Sequence, residues 1–290
     1  MRIRNPLLLN DWEISKTLQA VILVQAAMLA VSCCGYLGIY VPLIQVPISF
    51  VYLTFIPGIL ILRILRLHKL GNVQTLLYSM GLSLSFLMAL GFLMGAISSK
   101  IGTSNPISLV PLAIVIASLV LLLCALSYAR DKEFSNPEYL DLSFSNISPQ
   151  ILLLCLLPFV TVFATFLMNY YGTNSLQMIL LLILMAIPFI VVAGRISQRY
   201  YAFLLFVTSF SLLFHTSLIS PYVWGNDVNI EIIVSRLALQ SGSWNISFAS
   251  DYSGMLSLVI LAPIYSLFSD ISLPLVFKVL YPFIFSFVPL

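Results

Sequence analysis

Two carboxylates, Asp227 and Glu231, stand four residues apart in the polar run Trp224, Gly225, Asn226, Asp227, Val228, Asn229, Ile230, Glu231. An acid pair at this spacing can take a proton from a hydroxyl or share a divalent metal ion. Hydrophobic residues make up 61% of the chain and charged residues only 8%, so nearly every carboxylate must sit at a membrane surface or in a protected site.

The segment that must position this pair reads as a helix, with Asn226 as its N-cap and Gly242 as its C-terminal stop. At about 100° per residue, Asp227, Glu231 and Ser235 share one stripe and Asn229, Arg236 and Gln240 the opposite one. Two apolar faces lie between them, Ile230, Ile233, Val234 and Leu237 on one side and Val228, Ile232 and Leu239 on the other. Such a helix is expected to pack on both apolar faces, with one polar stripe in water and the other in a cleft. Complementing the positive helix N-terminus accounts for Asp227 without any chemistry. Glu231 is harder to explain in that way, because Asn229 occupies the place a capping box would give an acid. Like charges one turn apart also repel by about 0.2–0.5 kcal/mol unless a cation or substrate lies between them.

The medium around this segment follows from composition. A mean hydropathy of +1.08 over 290 residues excludes a soluble domain, which would carry about 25% charged residues. The expected fold is therefore all-α, a polytopic bundle of transmembrane helices, since about 20 apolar residues span a bilayer as a helix. Nine candidate spans run from Thr17 to Tyr36, Ile44 to Leu65, Val73 to Ile97, Leu109 to Ala129, Ile151 to Asn169, Leu176 to Ala193, Tyr201 to Ile219, Ser253 to Phe268 and Pro274 to Leu290. They divide the chain into a seven-span region (1–219), an outer loop with a short surface helix (220–252) and two further spans (253–290). The first apolar run reads as an uncleaved span, because Asp11 and Glu13 separate it from the basic start.

Lys and Arg near span ends mark the cytoplasmic side. In the nine-span arrangement Arg2, Arg4, Lys16, Arg63, Arg66, Lys69, Arg130, Lys132, Arg195, Arg199 and Lys278 fall on one side, against Lys100 and Arg236 on the other. Eleven against two predicts a cytoplasmic N-terminus. The 220–252 connection then faces outward, away from ATP and nucleotides, which excludes a nucleotide-sugar or kinase site there. The net charge of +3 reflects this bias, and the dispersed basic residues form no nucleic-acid-binding stripe. Cys33, Cys34, Cys124 and Cys155 all lie within spans and show neither a disulfide framework nor metal-ligand spacing.

Elsewhere the polar signals are sparse. The stretch from Arg130 to Gln150, with Asp131, Glu133, Glu138 and Asp141, reads as a solvated cytoplasmic loop. Ionisable residues inside spans are nearly absent, which counts against a proton-coupled transporter. Lys278 is placed at the inner end of the ninth span, with its ammonium reaching the interface. His215, a turn from the outer end of the seventh span, is either a neutral, hydrogen-bonded residue or lines a site with Asp227. Gly91 and Gly95 make a small-residue face for close helix contact. Tyr222, Trp224, Trp244 and Tyr252 cluster in the outer loop as interface anchors or sugar-stacking faces. Asn245 to Ser247 and Asn146 to Ser148 match the glycosylation pattern, the first outside and the second inside.

The stretches YVWGNDVNIEIIVSRLALQSGSWN, DYSGMLSLVILAPIYSL and VFKVLYPFIFSFVPL, all within 221–290, resemble a family of large archaeal multi-pass membrane proteins of unassigned function. That family in turn resembles the GT-C glycosyltransferases, which take sugars from polyprenyl-phosphate carriers and hold catalytic acids in an outer loop. The family's Gly, Asp and Glu pattern falls on Gly225, Asp227 and Glu231. The resemblance implies that Asp227 acts as general base on an acceptor hydroxyl or as a metal ligand. It implies that Glu231 supports a divalent metal or orients the acceptor, with Trp224, Asn226, His215 and Trp244 around the substrate. A polyprenyl-phosphate-linked sugar and membrane lipids are the implied partners, and the cell membrane the location. A lipid-phosphate leaving group needs a cation, and Arg236, the only one in the loop, points away from the acidic stripe. Family members continue past the position of Leu290, so the chain is expected to be a truncated form, with activity in doubt. Two rival classes are a permease or lipid flippase, and a structural subunit with a membrane partner.

Overall fold

The computed structural model describes residues 2–39, 41–101, 105–141, 149–244 and 251–290. The Asn146 and Asn245 glycosylation patterns both include residues outside the described ones. The described chain is mostly helical, with a three-residue antiparallel pair of strands in which Arg2 faces Asp141 and Arg4 faces Tyr139. The long helices are α1 (Ile14–Tyr36), α2 (Pro42–Ile64), α3 (Asn72–Ile101), α4 (Leu109–Asp131), α5 (Pro149–Tyr171), α6 (Ser175–Val192) and α7 (Tyr201–Ser217). After them come α8 (Asn226–Ser241) and the shorter pieces α9 (Ser257–Ser269) and α10 (Leu273–Phe285).

Seven helices among the described residues are long and apolar enough to cross a membrane, or eight if α9 and α10 form one broken span. The nine spans expected from hydropathy are not all found as single long helices among the described residues. The difference lies after residue 252, where the two apolar runs taken for complete helices are short pieces bent against each other at a break. Asp270, with φ of 52°, occupies the left-handed region at that break. Apolar runs are periodic in sequence whether or not the chain turns within them, so hydropathy could not see the bend.

The chain separates into two compact units, one of 2–141 and 230–276 and one of 142–229 and 277–290. In the first, α2 is the hub, touching α1, α3, α4 and α9. Some 56% of its span is buried, against 22–28% for the other six, whose remaining apolar surface is left for lipid. Polar side chains lock α2 to its neighbours. Gln45 Nε2 and Ser49 Oγ both donate to the Phe268 carbonyl, at 3.1 and 2.7 Å, and Thr54 Oγ1 lies 2.7 Å from Tyr265 Oη. At Pro57 and Gly58 the helix gains close contact. The Gly58 amide donates to Ser83 Oγ at 2.7 Å, and a Cβ on Gly58 would stand 1.8 Å from the Ser79 carbonyl oxygen. No side chain fits there, so glycine sets the spacing of α2 and α3. The small face of α3 noted in the sequence is also filled: a Cβ on Gly91 would meet Ile260 Cγ2 at 2.2 Å, and Gly95 faces the Trp244 ring.

The second unit is held by apolar contact. Leu154 and Leu157 of α5, Leu180, Leu184 and Ile187 of α6, and Leu204 and Val207 of α7 form one core. Phe206 and Phe210 of α7 pack edge-on against Phe283, with ring centroids 6.0 and 6.2 Å apart. Pro158 and Pro188 lie within α5 and α6 without ending them.

Candidate functional site

The acid pair lies at the start of α8, on consecutive turns of the helix as the sequence requires. The helix opens one residue earlier than expected. The Gly225 carbonyl accepts both from the Asn229 amide, at 3.4 Å, and from Asn229 Nδ2, at 2.7 Å. Gly225, with φ of 124°, thus takes the capping place assigned to Asn226, which becomes the first helical residue. Gly242, with φ of 59°, ends the helix where the sequence put its stop, and its carbonyl accepts from the Ile107 amide at 2.6 Å.

The faces of α8 differ from the two-sided packing read from the sequence. Ile232, Val234, Ser235 and Ala238 are buried, while Ile230, Ile233 and Leu237 are exposed. One broad face packs, and it includes the acidic stripe: Ser235 is fully buried, Glu231 half-buried and Asp227 exposed. Ser235 Oγ lies 2.9 Å from the Leu258 carbonyl and 2.7 Å from that of Glu231. Leu258 belongs to the π-helical turn Ser257–Leu261 that opens α9, and the serine meets a carbonyl there. Asn229, Arg236 and Gln240 are exposed on the opposite stripe.

The other expected site residues scatter. Trp224 is 84% exposed and free to offer a ring face. His215 Nδ1 lies 3.0 Å from Gln177 Nε2, a contact between α7 and α6. Trp244 packs its ring on Phe92 at 5.2 Å and donates from Nε1 to the Ser253 carbonyl at 2.9 Å, so both faces of its chemistry go into holding the end of α8. Asp227 falls within one compact unit and Glu231 within the other. Among the described residues no three His, Cys, Asp or Glu side chains gather closely enough for a metal ion. Asp227 and Glu231 are the two carboxylates that would hold a divalent metal ion at this turn, as the one or two carboxylates of a magnesium site do beside a substrate phosphate.

Lys278 departs from its expected place. Its ammonium, in α10, donates to the carbonyls of Ser220 and, at 3.2 Å, Tyr222. These lie in the connection after α7, so Lys278 is at the opposite end from the one assigned by counting spans.

A second polar centre had no signal in the sequence. Arg63, near the end of α2, is completely buried. Its Nη1 donates to the carbonyls of Asn10 (3.2 Å) and Trp12 (2.6 Å) and to Thr17 Oγ1 (3.1 Å). Nη2 donates to the carbonyls of Asp131 (3.3 Å) and Phe134 (2.9 Å). Nε makes a 2.9 Å charge contact with Asp131 Oδ2. His68 joins this lattice, with Nδ1 3.0 Å from Asp11 Oδ1 and Nε2 3.3 Å from Asp131 Oδ2, its ring stacked on Phe134 at 3.7 Å. The Lys69 amide donates to Asp11 Oδ2 at 3.1 Å. Asp131 is thus buried in an ion pair, where the sequence reading had placed it in a solvated loop, and ionisable groups are not absent from the packed interior. The N-terminal residues are part of the same structure: the 3-10 helix Pro6–Asp11 is seated by Asn10 Nδ2 on the Leu67 carbonyl (3.0 Å) and by Asn5 Nδ2 on Asn72 Oδ1 (2.7 Å).

Among the described residues, seven or eight apolar helices of membrane-spanning length fit a multi-pass integral membrane protein. No protein family, characterised protein or solved structure matches it.

Proposed function

We propose that this protein is a multi-pass enzyme of the cell membrane that acts in the manner of the GT-C glycosyltransferases, moving a sugar from a polyprenyl-phosphate carrier to an acceptor hydroxyl at the outer face. The observation that carries this reading is the acidic turn of α8, Asp227 exposed and Glu231 half-buried one turn on, close behind the membrane-length helix α7. Asp227 accepts the proton of the acceptor hydroxyl, whose oxygen forms the new bond to the anomeric carbon while the bond to the carrier phosphate breaks and the phosphate leaves with its electrons. Glu231 orients the acceptor. The exposed ring of Trp224 offers the sugar a stacking face.

A leaving phosphate also needs positive charge, which Arg236 on the exposed stripe does not direct toward the acids. Lys278 supports the reading here, because two carbonyls of the segment leading into α8 hold its ammonium, which sets a cation in the connection that precedes the acids.

The test is transfer from a polyprenyl-phosphate hexose in membranes containing the full chain. Asp227→Asn should abolish transfer with membrane insertion unchanged. Equal transfer by wild type and variant removes Asp227 from the reaction. Movement of the carrier across vesicles that is indifferent to Asp227 would favour a flippase.

A further inference from the structure

We propose that the recess where α2 and α4 end is a binding site for a phosphate group, carried there by an anionic lipid headgroup. The recess has a volume of ≈ 550 Å³, and Arg66, His68, Arg130, Asp131, Lys132 and Glu133 are among the residues that line it. Its charge balance favours an anion. Of the Lys, Arg, Asp and Glu residues that line it, Asp131 is matched by Arg63, and Arg66, Arg130 and Lys132 stand against Glu133, a surplus of 3 − 1 = +2. Arg130 and Lys132 are exposed at the mouth.

The floor is built rather than incidental. Arg66 donates from Nε and Nη2 to the Arg130 carbonyl, at 3.2 and 2.6 Å, which ties the α2 end to the α4 end. His68 is fixed between Asp11, Asp131 and the Phe134 ring. To present these groups the connection adopts left-handed backbone at two residues other than glycine, Arg66 (φ 56°) and Lys69 (φ 58°). Such conformations are costly and persist where surrounding contacts over-determine them, as at ligand clamps. The Asp11 carboxylate supplies that constraint, taking the Lys69 amide and facing His68. Lipid phosphates flank the ends of helices that span a bilayer, and basic pockets between spans are recognised headgroup sites. This inference does not depend on the acids of α8.

The experiment is native mass spectrometry of the full chain in detergent, titrated with phosphatidylglycerol or with phosphatidylcholine of the same acyl chains, and separately with glycerol phosphate. Phosphatidylglycerol should bind more tightly than phosphatidylcholine. Arg130→Gln with Lys132→Gln should weaken it about 25-fold, about fivefold per cation, and leave phosphatidylcholine unchanged. Glu133→Gln should tighten it about fivefold, a gain that misfolding cannot produce. Binding of glycerol phosphate with the same sensitivity to the double substitution, without a preference for the anionic lipid, would assign the phosphate to a soluble source. Equal binding of both lipids with no binding of glycerol phosphate overturns the site, as does an unaltered affinity in the double variant.

Discussion

Asp131→Asn is the sharpest test of the buried lattice around Arg63. The guanidinium is completely buried, and Asp131 is the carboxylate in direct contact with it, at 2.9 Å. Taking the charge from one partner of a buried pair leaves the other uncompensated, at a cost of about 3–5 kcal/mol. The lower end applies here, about 3 kcal/mol, because the asparagine oxygen still faces Nε and the five hydrogen bonds from Nη1 and Nη2 go to backbone carbonyls and Thr17, which the substitution leaves in place. That loss is a large share of a stability of about 5–15 kcal/mol. Arg63→Lys should cost about 2 kcal/mol or more by a different route: an ammonium has three donors, so at least two of the five acceptors lose their partner. Removing both charges together, in Arg63→Met with Asp131→Asn, should cost less than the sum of the single changes, since the residual charge is gone. Equilibrium unfolding of the purified protein in detergent, followed by tryptophan fluorescence, measures each value. Asp131→Asn within about 0.5 kcal/mol of wild type would refute the account, because a charge that can be left alone at no cost is not buried.

Helix spacing and buried hydroxyls give two further expectations. Gly58→Ala places a methyl 1.8 Å from the Ser79 carbonyl oxygen, where backbone must yield, whereas Gly91→Ala meets the side chain of Ile260 at 2.2 Å, which can shift. The second should cost about 1–3 kcal/mol and the first clearly more, so the order of their unfolding midpoints checks the α2 and α3 contact. Tyr265→Phe should cost about 1–3 kcal/mol by leaving the Thr54 hydroxyl buried without its partner, and adding Thr54→Val should restore most of it. A double variant no more stable than the single one would show that this hydrogen bond is not the cause.

The sequence made the helical class legible because hydropathy and length are local properties: each of α1 to α7 falls where an apolar run of spanning length predicts it. The last two apolar runs read as separate spans for the same reason, since the bend between α9 and α10 leaves composition unchanged. The acidic turn of α8 was also local, and its register and its stop at Gly242 followed from spacing alone. Which face of α8 is covered was not local. Its two apolar sides are alike in sequence, yet Ile233 is exposed while Ile232 and Val234 are buried, a division set by the neighbours the helix meets.

The charged residues divide in the same way. By itself the sequence determined that few charges exist and that most flank spans, which settles the solvent and the secondary structure. Only the tertiary structure decided that Arg63, His68, Asp11 and Asp131 form one buried lattice, with Arg63 reaching a carbonyl 68 residues away, and that Lys278 holds carbonyls 58 and 56 residues before it. The physical reason is that a charge at a helix end has the same local sequence whether water or a second charge solvates it, and the choice is made by segments that are distant in the chain.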